Sequence, residues 1–296
     1  MNWKKTFVVI TAFLLCWAGV SLSFSLHAAE TARLPFYEAN KGEVRLYVLG
    51  TLHVGKAGEP LRQEIAQALS RSSQLIMELS FDDLPKMAPL MASKMCADAC
   101  LRKQISPEAF AKLETRIPEM KGSMERIPAW MISSLLAIMD YSKAGFSPEL
   151  GTEMRLLKIW GNRPTRGLET PEEQMDALAS FSGSAQRESL ESYLALPEEK
   201  RLSLFRELYQ TWRGGDADAL YVWYQNMNKE QKLSSSTAKE FDEKMLFSRN
   251  KRFVERLQPH LASDRPVFVA VGALHLGGDQ GVLALLRAQG FNITAR

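Results

Sequence analysis

The chain has 296 residues, 46% hydrophobic and 24% charged, with 37 Lys and Arg against 34 Asp and Glu. This is ordinary globular composition, with enough chain for one large domain or two small ones. The near-balanced charge, with no Lys/Arg cluster interleaved with aromatic residues, excludes a nucleic-acid groove.

In chain order, residues 1–28 read as a secretory signal peptide. Lys4 and Lys5 precede an apolar stretch over about 7–20, and Ala28 and Ala29 supply small residues at the expected cut after Ala28. The apolar character continues through Leu22, Phe24 and Leu26, so an uncleaved N-terminal anchor is the alternative. Bulky Leu15 before Cys16 argues against lipidation. The expected location is periplasmic or secreted, with no stable membrane insertion once the signal is cut. The leader carries two lysines and no acid, so the mature chain is nearly neutral despite a pI of about 8.7 for the full sequence.

Residues 44–49, VRLYVL, form a β-rich run that leads into GTLHVG. In the next segment Leu61, Ile65, Ala68 and Leu69 fall at helical spacing, and QLIMELS is a second strand. Strand, helix and strand make a βαβ unit, which implies neighbouring parallel strands. From about 82 to 160 the chain is helical and proline-punctuated. Met87, Met91 and Met95 form a stripe there that reads first as a core face, and otherwise as an adaptable apolar groove. Cys96 and Cys100 are the two cysteines of the exported chain and read as a disulfide at a helix end or tight loop.

RPTRGLE at 163–169 is a further short strand. Thr170, Pro171 and Glu173 then open a helix as a capping box. Helical pattern fills about 171–261. The chain closes with the strand RPVFVAVG, a Gly-rich turn, the helix VLALLRAQG and the edge strand FNITAR. Asp279 is expected to cap that last helix. The expectation is one α/β domain over 29–296, with a mixed, largely parallel sheet and helical insertions over about 82–160 and 171–261.

Each end of this domain carries a strand followed by Gly-x-x-His: Gly50 with His53, and Gly272 with His275. Glycine suits a strand exit because it tolerates unusual dihedrals and close backbone approach. Ligands of parallel sheets collect beyond the carboxyl ends of the strands. There the sequence delivers His53, His275, Glu78 and Glu169, provided the strands are adjacent. Imidazole and carboxylate suit Zn, Mn, Co or Fe, and such a metal activates water beside a carboxylate base. The structural alternatives are a His that only caps a helix, and a Glu78 buried against Arg166 or Arg249. No H-E-x-x-H, G-x-S-x-G, Walker or G-x-G-x-x-G motif is present.

Taken together, GTLHVG, IMELS and VGALHLGGDQGVLALLRAQGF resemble the TraB/GumN group, which includes the Tiki-type membrane metalloproteases. GLETPEEQ around Glu169, WRGGD with Trp212 and Asp216, and SRN with Arg249 and Asn250 extend the resemblance over about 40–296. It implies a fold shared with ChaN-like and erythromycin-esterase-like proteins, and a metal-dependent peptidase activated by manganese or cobalt. By that resemblance His53 and His275 are metal ligands and Glu78 is a ligand or general base. Arg249 would orient a carboxylate or stabilise an oxyanion. A peptide or protein substrate is expected, and the alternative is a non-catalytic binding protein for a metal, haem or polysaccharide-related ligand.

Overall fold

The computed structural model describes residues 32–296, so the leader lies outside the described residues. In chain order the elements are β1 (Phe36–Lys41), β2 (Val44–Thr51), α1 (Gln63–Arg71), β3 (Gln74–Met77), α2 (Leu84–Ser93), α3 (Leu101–Gln104), α4 (Pro107–Arg116), α5 (Ala129–Lys143) and α6 (Thr152–Trp160). They continue with β4 (Arg166–Gly167), α7 (Pro171–Ala179), α8 (Gly183–Ala195), α9 (Glu198–Arg213), α10 (Ala217–Glu230) and α11 (Ser235–Phe241). A π-helical stretch, Asp242–Phe247, leads into α12 (Ser248–Leu257), followed by β5 (Val267–Gly272), α13 (Val282–Ala288) and β6 (Asn292–Ala295).

The six strands form one mixed sheet in the order β4-β3-β5-β2-β1-β6. The four from β4 to β2 are mutually parallel, and β1 pairs antiparallel with β2 and β6. The expected neighbouring pair is therefore interrupted: β2 and β3 are parallel, but β5 lies between them. VFVAVG explains its central place, because a strand covered on both faces needs an unbroken apolar run. β1 is absent from the sequence reading. FYEANK carries Glu, Asn and Lys, weak strand formers, and is held by pairing on both sides.

Alternation along the strands divides the core. Leu49, Leu75, Met77 and Phe268 pack with Ile65, Leu156, Phe205 and Trp212 on one face. Val48, Ile76, Val269 and Val271 pack with Phe253, Leu257, Val282 and Leu286 on the other. The insertion has a smaller core of its own, with Leu101, Phe110, Leu113, Ile132, Leu136 and Leu190. Asp140 is buried there and accepts from Arg116 and Arg201 at 2.7 and 2.9 Å and from Tyr193 at 2.5 Å.

Several local expectations hold. Thr170 and Glu173 form the capping box, Gly290 at φ 88° follows α13, and β6 is an edge strand. Cys96 and Cys100 are joined in the turn between α2 and α3, with their Cα atoms 6.0 Å apart. Two expectations are corrected. α13 starts only after Gly281, and Asp279 does not cap it. The methionine stripe is not a core face: α2 has no buried residue, and Met91 and Met95 are exposed. This helix packs mainly on α7, which leaves most of its surface to solvent.

Removing Asp140 would take the shared carboxylate from two inward-facing guanidinium groups, Arg116 and Arg201. Asp140→Ala is expected to cost about 3–5 kcal/mol of unfolding free energy, measured by urea denaturation at neutral pH.

Candidate functional site

Two groups of polar side chains meet at the C-terminal edge of the parallel strands. The first is centred on Arg249. The buried stripe of α12 runs through Asn250, Phe253, Val254 and Leu257, at helical spacing. The stripe that docks the helix on the sheet therefore carries Arg249 and Asn250 to the strand ends.

Arg249 spends all its donors inside the protein. Nε donates to Glu169 Oε2 at 3.0 Å, and Nη2 donates to Glu169 Oε1 at 2.5 Å and Glu78 Oε2 at 2.7 Å. Nη1 donates to the Met245 carbonyl and to His275 Nε2, each at 3.2 Å. Guanidinium is only a donor, so the His275 Nε2 lone pair is the acceptor and the imidazole proton sits on Nδ1. That proton goes to Asn250 Oδ1 at 2.6 Å, and Asn250 Nδ2 donates to the Gln280 carbonyl at 2.8 Å, which sets the amide's orientation. Burial pushes His275 down to about 4, so it is neutral at physiological pH.

Glu78 leaves β3 and is held on both oxygens. Oε1 accepts from the Gly272 N–H at 2.6 Å, and Oε2 accepts from Arg249 and, at 3.4 Å, from Gln174. Burial works against its ionisation. The positive charges around it, His275 (once protonated in acid) and Arg249 foremost, nevertheless hold it at about 2. Glu169 has no exposed side-chain surface, and burial raises its carboxyl despite the bonds from Arg249.

The two motif glycines act through space rather than through dihedrals, since neither has positive φ. A Cβ on Gly272 would stand 3.0 Å from Glu78 Oε1, and one on Gly50 would meet Ala273 and Leu276 at 2.9–3.0 Å. The Gly50 carbonyl also accepts from Trp212 Nε1 at 2.9 Å, which gives WRGGD a structural role.

The second group is built on His53, whose side chain is 75% exposed. Its Nδ1 lies 2.8 Å from Glu153 Oε1, which also accepts from Thr51 Oγ1 at 2.5 Å. The first turn of α6 is fastened to the strand exit: Thr152 N–H donates to the Leu52 carbonyl at 2.9 Å, and Leu52 N–H donates to Thr152 Oγ1 at 3.2 Å. Gly151 makes room, because a Cβ there would lie 2.5 Å from the His53 carbonyl. The charge of Glu153 raises the His53 pKa to about 9.

A cavity of about 420 Å³ opens beside both groups and is lined by His53, Glu78, Arg249 and His275 at its polar end. A second, of about 250 Å³, is lined by His53, Glu78, Glu153 and Gln174, with Phe81 and Leu84 among its apolar walls. His53 and Glu78 belong to both cavities.

All the expected site residues lie on consecutive strand ends or on α12. Glu78, Glu169, Arg249, Asn250 and His275 are joined directly by hydrogen bonds, and Gly272 by its N–H. His53 is not hydrogen-bonded into that group and pairs with Glu153 instead. Sequence reading missed Glu153 and Gln174. The only trace of Glu153 is its place in the opening turn of a helix, a hundred residues from His53. Gln174 lies one turn into α7, with Thr170 as N-cap.

The expected divalent metal can be tested on the donors. Among the described residues, no group of three or more His, Cys, Asp or Glu side chains is placed to hold a metal ion. The guanidinium of Arg249 fills the space between Glu78, Glu169 and His275, and it takes the His275 Nε2 lone pair a metal would need. As packed, these residues do not fit a resident divalent ion.

Residues 35–295 match the model of the TraB/PrgY/gumN family. The chain belongs to the TraB/PrgY/gumN family. No curated protein and no solved structure matches it significantly. Within this TraB/PrgY/gumN chain the match takes in both Gly-x-x-His motifs, Glu78, Glu169, Glu153 and Arg249.

Glu153→Gln removes the charge that favours imidazolium. The His53 pKa should fall from about 9 toward the ordinary ~6.5, followed by NMR titration of the ring protons. The ion pair contributes in the native protein at neutral pH and is lost as pH rises through about 9; the variant should lack that alkaline dependence.

Proposed function

We propose that this protein is a hydrolase of a carboxylic-acid derivative, an amide or ester, with His53 as its acid–base group. The observation that carries this reading is the His53–Glu153 pair standing where two cavities meet. A bond held there has room on each side for the two parts of a substrate.

Glu153 accepts from Nδ1 and so turns Nε2 toward reaction as the basic atom. In the deprotonated dyad, Nε2 takes a proton from water as the water oxygen bonds to the carbonyl carbon. The carbonyl π pair moves to oxygen. Collapse of that intermediate breaks the bond to the leaving alcohol or amine, which takes the proton back from Nε2. The products are a carboxylic acid and an alcohol or amine. Glu78 is too weak a base for the proton transfer at about 2, but as a fixed negative charge it favours the imidazolium that forms. Arg249 positions Glu78 and has no N–H left for an oxyanion.

The expected peptide substrate and exported location belong to this reading and are supported by the family resemblance and the leader pattern. A non-catalytic binding role is the second reading, favoured by the largely apolar wall of the larger cavity.

His53→Ala should lower turnover of 4-nitrophenyl acetate by about a hundredfold or more while the fold, followed by circular dichroism, is kept. The wild-type rate should climb with pH along a limb set by the His53 pKa of about 9, and it should survive chelation. Loss on chelation with recovery in Mn or Co would restore the metal-dependent mechanism. Full activity in His53→Ala would end the hydrolase reading.

A further inference from the structure

The larger cavity has a one-sided chemistry. Among the described residues its carboxylate, guanidinium and imidazole side chains are those of Glu78, Arg249, His53 and His275, all at the sheet end. Away from that end its wall comes from the helical insertions and is mostly apolar, with Trp130, Phe181, Phe205 and Phe241 among its aromatic surfaces and the uncharged Ser133 and Gln186 among its few polar ones. Its volume of about 420 Å³ is that of a small-molecule site, and such a wall stabilises apolar matter by removing it from water. The electrostatics point the same way. Every N–H of Arg249 is engaged, and the charged groups that line the cavity, His53, Glu78 and Arg249, all stand at the sheet end. At the far wall a ligand carboxylate would lose its hydration with no cation beside it.

We propose that the larger cavity binds the uncharged, apolar acyl group of the substrate, with the carbonyl at His53 and Glu78. This rests on the hydrolase reading for the position of the carbonyl. The apolar site can be tested without turnover. A substrate acid of this class is fatty or aromatic, and a substrate with a free carboxylate on that arm is rejected.

The experiment compares binding of two ketones to the mature chain by titration calorimetry. 2-Decanone carries an apolar arm beside its carbonyl. 9-Oxodecanoic acid has the same arm ending in a carboxylate. 2-Decanone is expected to bind at least tenfold more tightly. Ser134→Trp, at a position that lines the cavity and is otherwise exposed, should weaken 2-decanone at least tenfold by filling the space. Circular dichroism checks that the variant is folded. In the wild type, kcat/KM should rise tenfold or more from the acetate to the octanoate ester. Equal binding of the two ketones, or undiminished 2-decanone binding in folded Ser134→Trp, overturns the proposal. Turnover of the acetate without chain-length preference overturns it too, while leaving the hydrolase reading intact. Tight, Ser134→Trp-sensitive ketone binding without turnover of any ester supports the apolar site and removes the hydrolase reading.

Discussion

A buried guanidinium is tolerable only when its charge is balanced and each N–H has an acceptor, because desolvation otherwise outweighs the attraction. Arg249 meets that condition with two carboxylates, one imidazole and one carbonyl. In doing so it ties the exits of β3, β4 and β5 to α12. Glu78, Glu169 and His275 are each drawn to it from a different strand end, so the rim of the sheet closes around one cation. The protonation of the site follows from the same contacts: Glu78 stays ionised, and His275 stays neutral with its proton directed at Asn250.

This saturation divides the two Gly-x-x-His motifs, which look equivalent as strings. His275 is buried, and both its nitrogens are engaged, Nε2 by Arg249 and Nδ1 by Asn250. His53 is exposed, and the first turn of α6 holds it by one nitrogen. His275 belongs to the scaffold of the site, and His53 presents a titrating atom to two cavities. Parallel strands explain why both sit at one edge. The helical insertions explain why that edge is roofed by aromatic side chains rather than open to water.

Expectations drawn from short stretches survived where a local rule governs them. The capping box at Thr170 needs only residues 170–173, and the strand VFVAVG carries its burial in its own apolar run. Where the outcome depends on what packs opposite, the strings misled. Met87, Met91 and Met95 have the spacing of a core face, yet little packs on α2. Asp279 has the chemistry of an N-cap, yet the helix begins beyond its reach, at Val282.

By itself the sequence determined the strand exits, the glycine–histidine spacing, the residues able to carry charge there, and the division into an α/β body with helical insertions. These follow from periods of two and 3.6 residues and from turn chemistry, all acting within a few residues. Only the tertiary structure decided that β5 enters between β2 and β3, that Arg249 rather than Arg166 meets Glu78, and that Glu153 is the partner of His53. Those pairs join residues about a hundred or more apart. Their choice depends on which surfaces bury together and which charges must be neutralised once water is gone, and no local pattern records it.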